Sequence, residues 1–201
     1  MDLSEFEPQV LALADALRVR GWKLATAESC TGGLIAAACT ALAGSSDWFE
    51  RGFVTYSTAA KTELLGVDAP LIAAQGAVSE PVARAMASGA LARAPVQVAV
   101  AVTGIAGPGG ATPGKPVGLV HFAVAARDGR IVHRECRFGA IGRSAVRQRS
   151  VVEALRMLIE LARGPQAAKP RREAVSRLRP RTTRSPRGRA VVKRRRPPPR
   201  T

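Results

Sequence analysis

One junction near the start of the chain constrains the fold most: Ala27-Glu28-Ser29-Cys30-Thr31-Gly32-Gly33. Before it, the compact apolar stretch Trp22 to Ala27 reads as a buried strand. After it, Leu34-Ile35-Ala36-Ala37-Ala38-Cys39 reads as an apolar helix. A strand that turns straight into a helix leaves the Ser29 hydroxyl at a strand end, beside the unpaired backbone N–H groups that open a helix. Such a helix end favours negative charge developing on a substrate. The simpler reading makes Ser29 and Thr31 helix caps, a common role for Ser and Thr.

The rest of the chain repeats this alternation. Leu3 to Arg20 places Val10, Leu13, Ala14 and Leu17 at helical spacing and stops at Gly21. Gly44-Ser45-Ser46-Asp47 reads as a turn, and Gly52-Phe53-Val54-Thr55-Tyr56 as a second strand. Thr58 to Leu65 suggests a short helix carrying Lys61. Ser79 before Glu80-Pro81 supplies a cap and first turn for a helix reaching Arg93. The β-branched run Val96 to Val102 is the clearest strand, and it enters the glycine-rich loop Thr103 to Gly110. Asp128-Gly129 joins Val117–Ala126 to Arg130–Phe138 as a hairpin. Gly142-Arg143-Ser144 leads into a last helix with Val151, Leu155, Leu158 and Ile159 on its apolar face, stopped by Gly164-Pro165. Helices alternating with strands, plus one hairpin, predict an α/β sandwich around a mixed sheet.

Charge divides the chain. The 201 residues carry a formal charge of +16, but fourteen of the 31 basic residues and one of the 15 acidic ones lie from Pro165 onward. Residues 1–164 therefore keep 17 basic and 14 acidic residues, the balance of an ordinary globular domain. Residues 165–201, rich in Arg and Pro and poor in apolar side chains, read as a disordered basic tail. Cys30, Cys39 and Cys136 are odd in number and lack CxxC spacing, which argues against a disulfide framework or a cysteine zinc site. The acidic start, Met1 to Glu7, is unlike a signal peptide, and no apolar run approaches the roughly 20 residues of a membrane span. A cytoplasmic protein with no membrane contact is the expectation.

In open α/β sheets ligands collect beyond the carboxyl ends of the strands. Three loops share that position here: Glu28–Gly33, Tyr56–Lys61 and Thr103–Gly110. They bring a hydroxyl, a phenol and an amine, with backbone that a ligand can approach closely. The two histidines, His121 and His133, both fall in the hairpin, so a Ser–His–Asp triad is poorly supported. Lys61 remains as a candidate base for Ser29 if its amine is held neutral; otherwise it is an exposed helix lysine. Tyr56 either bonds Ser29 or Lys61 as a proton relay or packs in the sheet. Thr103 and Gly104 either bind substrate or simply form a tight turn. Neither GxGxxG nor GxxxxGK[ST] occurs, and no metal-ligand spacing appears, so no nucleotide cofactor or metal is called for.

Taken in order, these blocks resemble the CinA C-terminal family, whose characterised members are nicotinamide-nucleotide amidohydrolases. The resemblance runs from about Leu11 to Leu161. It rests on Thr26–Gly33, Gly44-Ser45-Ser46, Trp48–Ser57, Gly76-Ala77-Val78-Ser79-Glu80, and Thr103–Gly110 with Lys115-Pro116-Val117-Gly118. It implies a three-layer α/β/α domain that deamidates nicotinamide mononucleotide to nicotinate mononucleotide and ammonia in pyridine-nucleotide recycling, without a cofactor. It also implies a homodimer. The family's Ser/Lys pair falls on Ser29 and Lys61, and its neighbouring tyrosine on Tyr56. Thr31, Gly32, Gly33, Ser45, Thr103 and Arg143 fall in segments that line the family's pocket. Arg143, at the start of the last helix, is the candidate for the substrate phosphate; the alternative is a surface arginine. Many members also carry a large N-terminal domain with a molybdopterin-binding-like fold, which the resemblance does not reach here.

The tail lies outside the resemblance. Its cluster Lys193-Arg194-Arg195-Arg196 suits nonspecific phosphate contact with RNA or DNA, or serves only as a solubilising extension. The competing function is thus a noncatalytic accessory protein that associates with nucleic acid through this tail.

Overall fold

The computed structural model describes residues 2–164. The tail, with the disorder and nucleic-acid contact expected of it, lies outside the described residues. A short 3-10 turn, Ser4–Phe6, leads into α1 (Glu7–Arg20), which ends where Gly21 adopts a left-handed φ of 62°. The chain continues through β1 (Leu24–Glu28), α2 (Leu34–Thr40), β2 (Phe49–Val54), α3 (Thr58–Leu65), α4 (Ala69–Gln75) and α5 (Glu80–Arg93). It closes with β3 (Val98–Gly104), β4 (Leu119–Ala126), β5 (Ile131–Arg137) and α6 (Arg143–Arg163).

The five strands form one sheet in the order β2-β1-β3-β4-β5. β1 runs parallel to β2 and β3, whereas β4 is antiparallel to both β3 and β5. This is the mixed sheet expected from the sequence. Two buried clusters flank it. Val98, Val100 and Val102 of β3 and Val120, Phe122 and Val124 of β4 pack with α1, α2 and α6. Ala99, Ala101, Ala123 and Ala125, with Ala25 and Ala27 of β1, pack with α3, α4 and α5. The period of two in a strand thus sorts valine to one face and alanine to the other. The small face lets α5 approach closely. A Cβ on Gly89 would stand 2.1 Å from the Leu65 carbonyl oxygen at the end of α3.

Two local expectations change. α4 was not anticipated from sequence; its signal is Asp68 at the cap position followed by Pro70 in the first turn, with Gly76 ending it. Ser79 does occupy the cap position of α5, but its hydroxyl donates backwards to the Gly76 carbonyl (2.9 Å) instead of receiving a helix amide.

Candidate active site

Because β1, β2 and β3 are parallel, their carboxyl ends lie along one edge of the sheet. Backbone bonds stitch those ends together: the Ser29 amide donates to Val102 O (3.0 Å), and the Thr55 amide to Glu28 O (2.8 Å). The loops that follow the three strands are therefore neighbours. Ala25 and Ala27 face the α3–α5 layer, and Ser29, two residues on, meets a side chain from that layer. α3 begins just after Ser57, whose hydroxyl caps the helix by accepting from the Ala60 amide (3.0 Å). One turn in, the Lys61 side chain turns inward, 1% exposed. Its Nζ lies 3.1 Å from Ser29 Oγ, 2.7 Å from Thr55 O and 3.4 Å from Ser57 O. The exposed helix lysine that sequence alone allowed is not what the fold makes.

No carboxylate pairs with Lys61 among the described residues, and burial holds its amine below the ordinary 10.5, the neighbouring Cys30 opposing weakly. A neutral amine has two N–H donors and one lone pair. The two carbonyls can take both donors of a neutral amine, which would leave its lone pair for the third contact, Ser29 Oγ. The adjacent Cys30 is no rival nucleophile: burial pushes its thiol up to about 12, so it stays protonated and poorly reactive.

The helix end is mostly occupied. The Glu28 carboxylate, 1% exposed, accepts from the Ile35 (3.0 Å) and Ala36 (2.9 Å) amides. Leu34 N donates to Thr31 O (3.3 Å) and Ala37 N to Gly33 O (2.9 Å). The Leu34, Ile35 and Ala36 amides are thus satisfied within the protein, whereas the Gly33 amide at the cap position has no acceptor among the described residues. The expectation that this helix end meets substrate charge is thereby narrowed to the Gly33 amide. The expectation that Ser29 or Thr31 caps it is corrected: Gly33, with φ 90°, holds the cap position, and Glu28 does the capping from the strand. Within the preceding loop the Cys30, Thr31 and Gly33 amides donate to no carbonyl or carboxylate among the described residues.

The remaining candidates divide. Thr31 is fully buried beside Ser29, its hydroxyl unpartnered and its carbonyl accepting from Arg147 Nη2 (2.7 Å). Gly32 (φ 60°) and Gly33 supply the left-handed backbone that the tight loop needs. Tyr56 is 57% exposed, and its hydroxyl accepts from Arg143 Nη2 (2.7 Å), bonding neither Ser29 nor Lys61. Arg143 also donates to Gly107 O (3.0 Å), so it bridges the loops after β2 and β3. Thr103 is buried, and its hydroxyl donates to Ala77 O (2.8 Å). Gly104 is required by packing, since a Cβ there would meet Val120 Cγ2 at 2.7 Å. Ser45 is corrected. It precedes β2, whose Phe49 pairs with Leu24 at the opposite end of β1. The length of that strand, roughly 16 Å for five residues, separates it from Ser29 within one chain.

Sequence reasoning placed Glu28 in the loop but missed its capping role, and missed the hold of Arg147 on Thr31 O. A carboxylate just before a Gly-Gly helix entry, where the cap position has no side chain, was the available signal for Glu28. His121 and His133 lie in the sheet, with His121 Nδ1 3.1 Å from His133 Nε2. They are flanked by Glu135 and Glu80 and make no bond to Ser29 or Lys61. Among the described residues, no group of three or more His, Cys, Asp or Glu stands as a metal site, and no helix is long and apolar enough to cross a membrane.

The chain is similar to known proteins along most of its described length. The model of the CinA C-terminal domain matches residues 7–162. A CinA-like protein of Mycolicibacterium gilvum is 56% identical over 152 residues, 76% of this chain but 35% of that protein, so the chain spans about a third of that relative. Nicotinamide-nucleotide amidohydrolase PncC of Escherichia coli is 50% identical over 158 residues, 78% of this chain and 93% of that one. PncC of Enterobacter agglomerans is 54% identical over 140 residues, covering 70% and 85%. The crystal structure of competence/damage inducible protein CihA from Agrobacterium tumefaciens superposes with a TM-score of 0.76 at 51% identity, covering 78% of this chain and 94% of that chain. With the family model spanning nearly every described element, and a solved relative sharing both fold and half its residues, the chain belongs to the CinA C-terminal domain family.

Proposed function

We propose that this chain hydrolyses the carboxamide of nicotinamide mononucleotide, releasing ammonia and nicotinate mononucleotide through a Ser29/Lys61 pair. The observation that carries the reading is the 3.1 Å approach of a buried, carboxylate-free Lys61 amine to a half-buried Ser29 hydroxyl. The likeness to the two PncC enzymes supplies the substrate class. Ser29 Oγ attacks the amide carbon while neutral Lys61 takes its proton. The Cys30 and Thr31 amides, which donate to no carbonyl or carboxylate among the described residues, receive the oxyanion. Protonated Lys61 then gives its proton to the departing amine, and water hydrolyses the acyl-enzyme. Arg143 binds the substrate phosphate, exchanging its contacts with Tyr56 and Gly107 for charge-assisted bonds. Tyr56 acts in this reading through Arg143. A cytoplasmic homodimer, as the family resemblance implies, belongs to the same proposal.

The test is ammonia release from nicotinamide mononucleotide by the full chain and by Ser29→Ala. Wild-type turnover with loss of about a thousandfold or more in the variant is expected. Full residual activity removes Ser29 from the mechanism. The fourteen basic residues from Pro165 onward favour a second reading, a noncatalytic nucleic-acid accessory. That reading wins if the wild-type chain releases no ammonia while binding RNA or DNA with a steep salt dependence.

A further inference from the structure

We infer that Glu28 and Arg147 form an opposed-charge clamp that fixes the loop 29–33 and act as positioning residues for the nucleophile; this rests on the proposed hydrolysis. The loop is held from two sides by side chains of opposite sign. From β1, the buried Glu28 carboxylate takes the Ile35 and Ala36 amides at 3.0 and 2.9 Å, locking the loop's exit into α2. From α6, Arg147 Nη2 donates to the Thr31 carbonyl at 2.7 Å, locking the peptide that follows the Cys30 and Thr31 amides. Among the described residues, backbone bonds add the Gly32 amide to Ser29 O (3.0 Å) and the longer Leu34 amide to Thr31 O (3.3 Å). Two consecutive glycines at positive φ would otherwise leave this backbone free to reorient.

Neither charge is explained by pairing with an opposite side chain. No basic group bonds Glu28, and no carboxylate pairs with Arg147 among the described residues. Arg147 even keeps its Nε buried without an acceptor. Each charged group is spent on loop backbone, where a charge-assisted bond is shorter and more directional than a neutral one. The consequence falls on reaction geometry: Ser29 Oγ and the Cys30 and Thr31 amides must converge on one carbonyl, and a misplacement near 1 Å costs about a hundredfold in rate.

Glu28→Gln is the informative variant. It keeps the side-chain shape but turns one carboxylate oxygen into an NH2 group facing a backbone donor. The expected result for the full chain is a kcat lower by about tenfold to a hundredfold, with KM for nicotinamide mononucleotide changed less than about twofold, because the site's substrate groups are untouched. Arg147→Lys, which keeps one donor for Thr31 O, should retain more kcat than Arg147→Met. Amide hydrogen exchange at Ile35 and Ala36 supplies a readout independent of turnover and should accelerate in Glu28→Gln. Unchanged exchange there overturns the clamp whatever the activity. Faster exchange with wild-type kcat overturns the positioning role. Should Glu28→Gln fail to fold, Arg147→Met with wild-type kcat overturns it equally. A wild-type chain that leaves the mononucleotide intact sinks the hydrolytic reading, while the exchange data still judge the clamp.

Discussion

Replacing Lys61 by Met removes the amine while keeping an unbranched apolar stem in the same buried space. Two opposed effects on stability follow. The variant no longer buries an amine, but the Thr55 carbonyl loses its 2.7 Å donor, and a buried unsatisfied acceptor costs about 1–3 kcal/mol. The effects nearly offset, and the melting temperature should move by no more than about 4 °C, since about 1 kcal/mol shifts a domain of this size by 2–4 °C. Catalysis has no such compensation. Loss of a positioned general base lowers turnover by about 10²–10⁴-fold, or about 3–5 kcal/mol of barrier. The pH profile of ammonia release completes the test. Burial lowers the Lys61 pKa from its ordinary 10.5, and only the unprotonated amine accepts the Ser29 proton. Wild-type kcat/KM must therefore rise with pH along a limb lying below 10.5, and Lys61→Met must lack that limb. Wild-type turnover in Lys61→Met across neutral and alkaline pH would refute proton transfer through this amine, and so would a wild-type limb at the ordinary lysine value.

Arg143→Ala should raise KM for nicotinamide mononucleotide by about tenfold to a hundredfold, the worth of one charged hydrogen bond, and leave kinetics on the riboside, which lacks the phosphate, nearly unchanged; equal losses on both would remove the phosphate role. His121 and His133 are each held below 6.5 chiefly by burial, with Lys115 adding to it at His121 and Arg84 at His133, while Glu80 and Glu135 oppose. Below that pH the unfolded chain binds protons the folded one resists, so stability present above 6.5 is lost as pH falls through the folded values. Urea midpoints should drop on acidification, and His133→Gln should flatten the drop; an unchanged slope would contradict this. Gly89→Ala gains helix propensity of about 1 kcal/mol but drives its Cβ to within 2.1 Å of the Leu65 carbonyl. Overpacking of this kind costs about 1–3 kcal/mol or more, so the melting temperature should fall, and a rise would show that the end of α3 yields freely.

Local chemistry carried much of this protein into view. A β-branched run such as Val96 to Val102 can hardly be anything but a strand, Asp128-Gly129 turns a hairpin, and Gly21 stops a helix by its left-handed φ. These are short-range effects, settled within a few residues, and they place Ser29, Tyr56 and Lys61 on the correct strand ends and helix. α4 slipped by because seven residues with one buried side chain, Ile72, show almost no periodicity.

What the chain order alone could not decide was every relation between residues far apart in sequence. Lys61 reads as a surface lysine until the parallel pairing of β1 with β2 brings α3 against the end of β1 and strips its amine of water. Ser45 reads as a neighbour of the site until that same register sends it to the far end of the sheet. Tyr56 finds Arg143 across 87 positions, and Thr31 finds Arg147 across 116. Propensity and capping act through bonds and first neighbours, so a sequence states them directly. Desolvation, hydrogen-bond partnership and the sharing of one crevice depend on which surfaces come together, and only the folded sheet with its two helical layers fixes that.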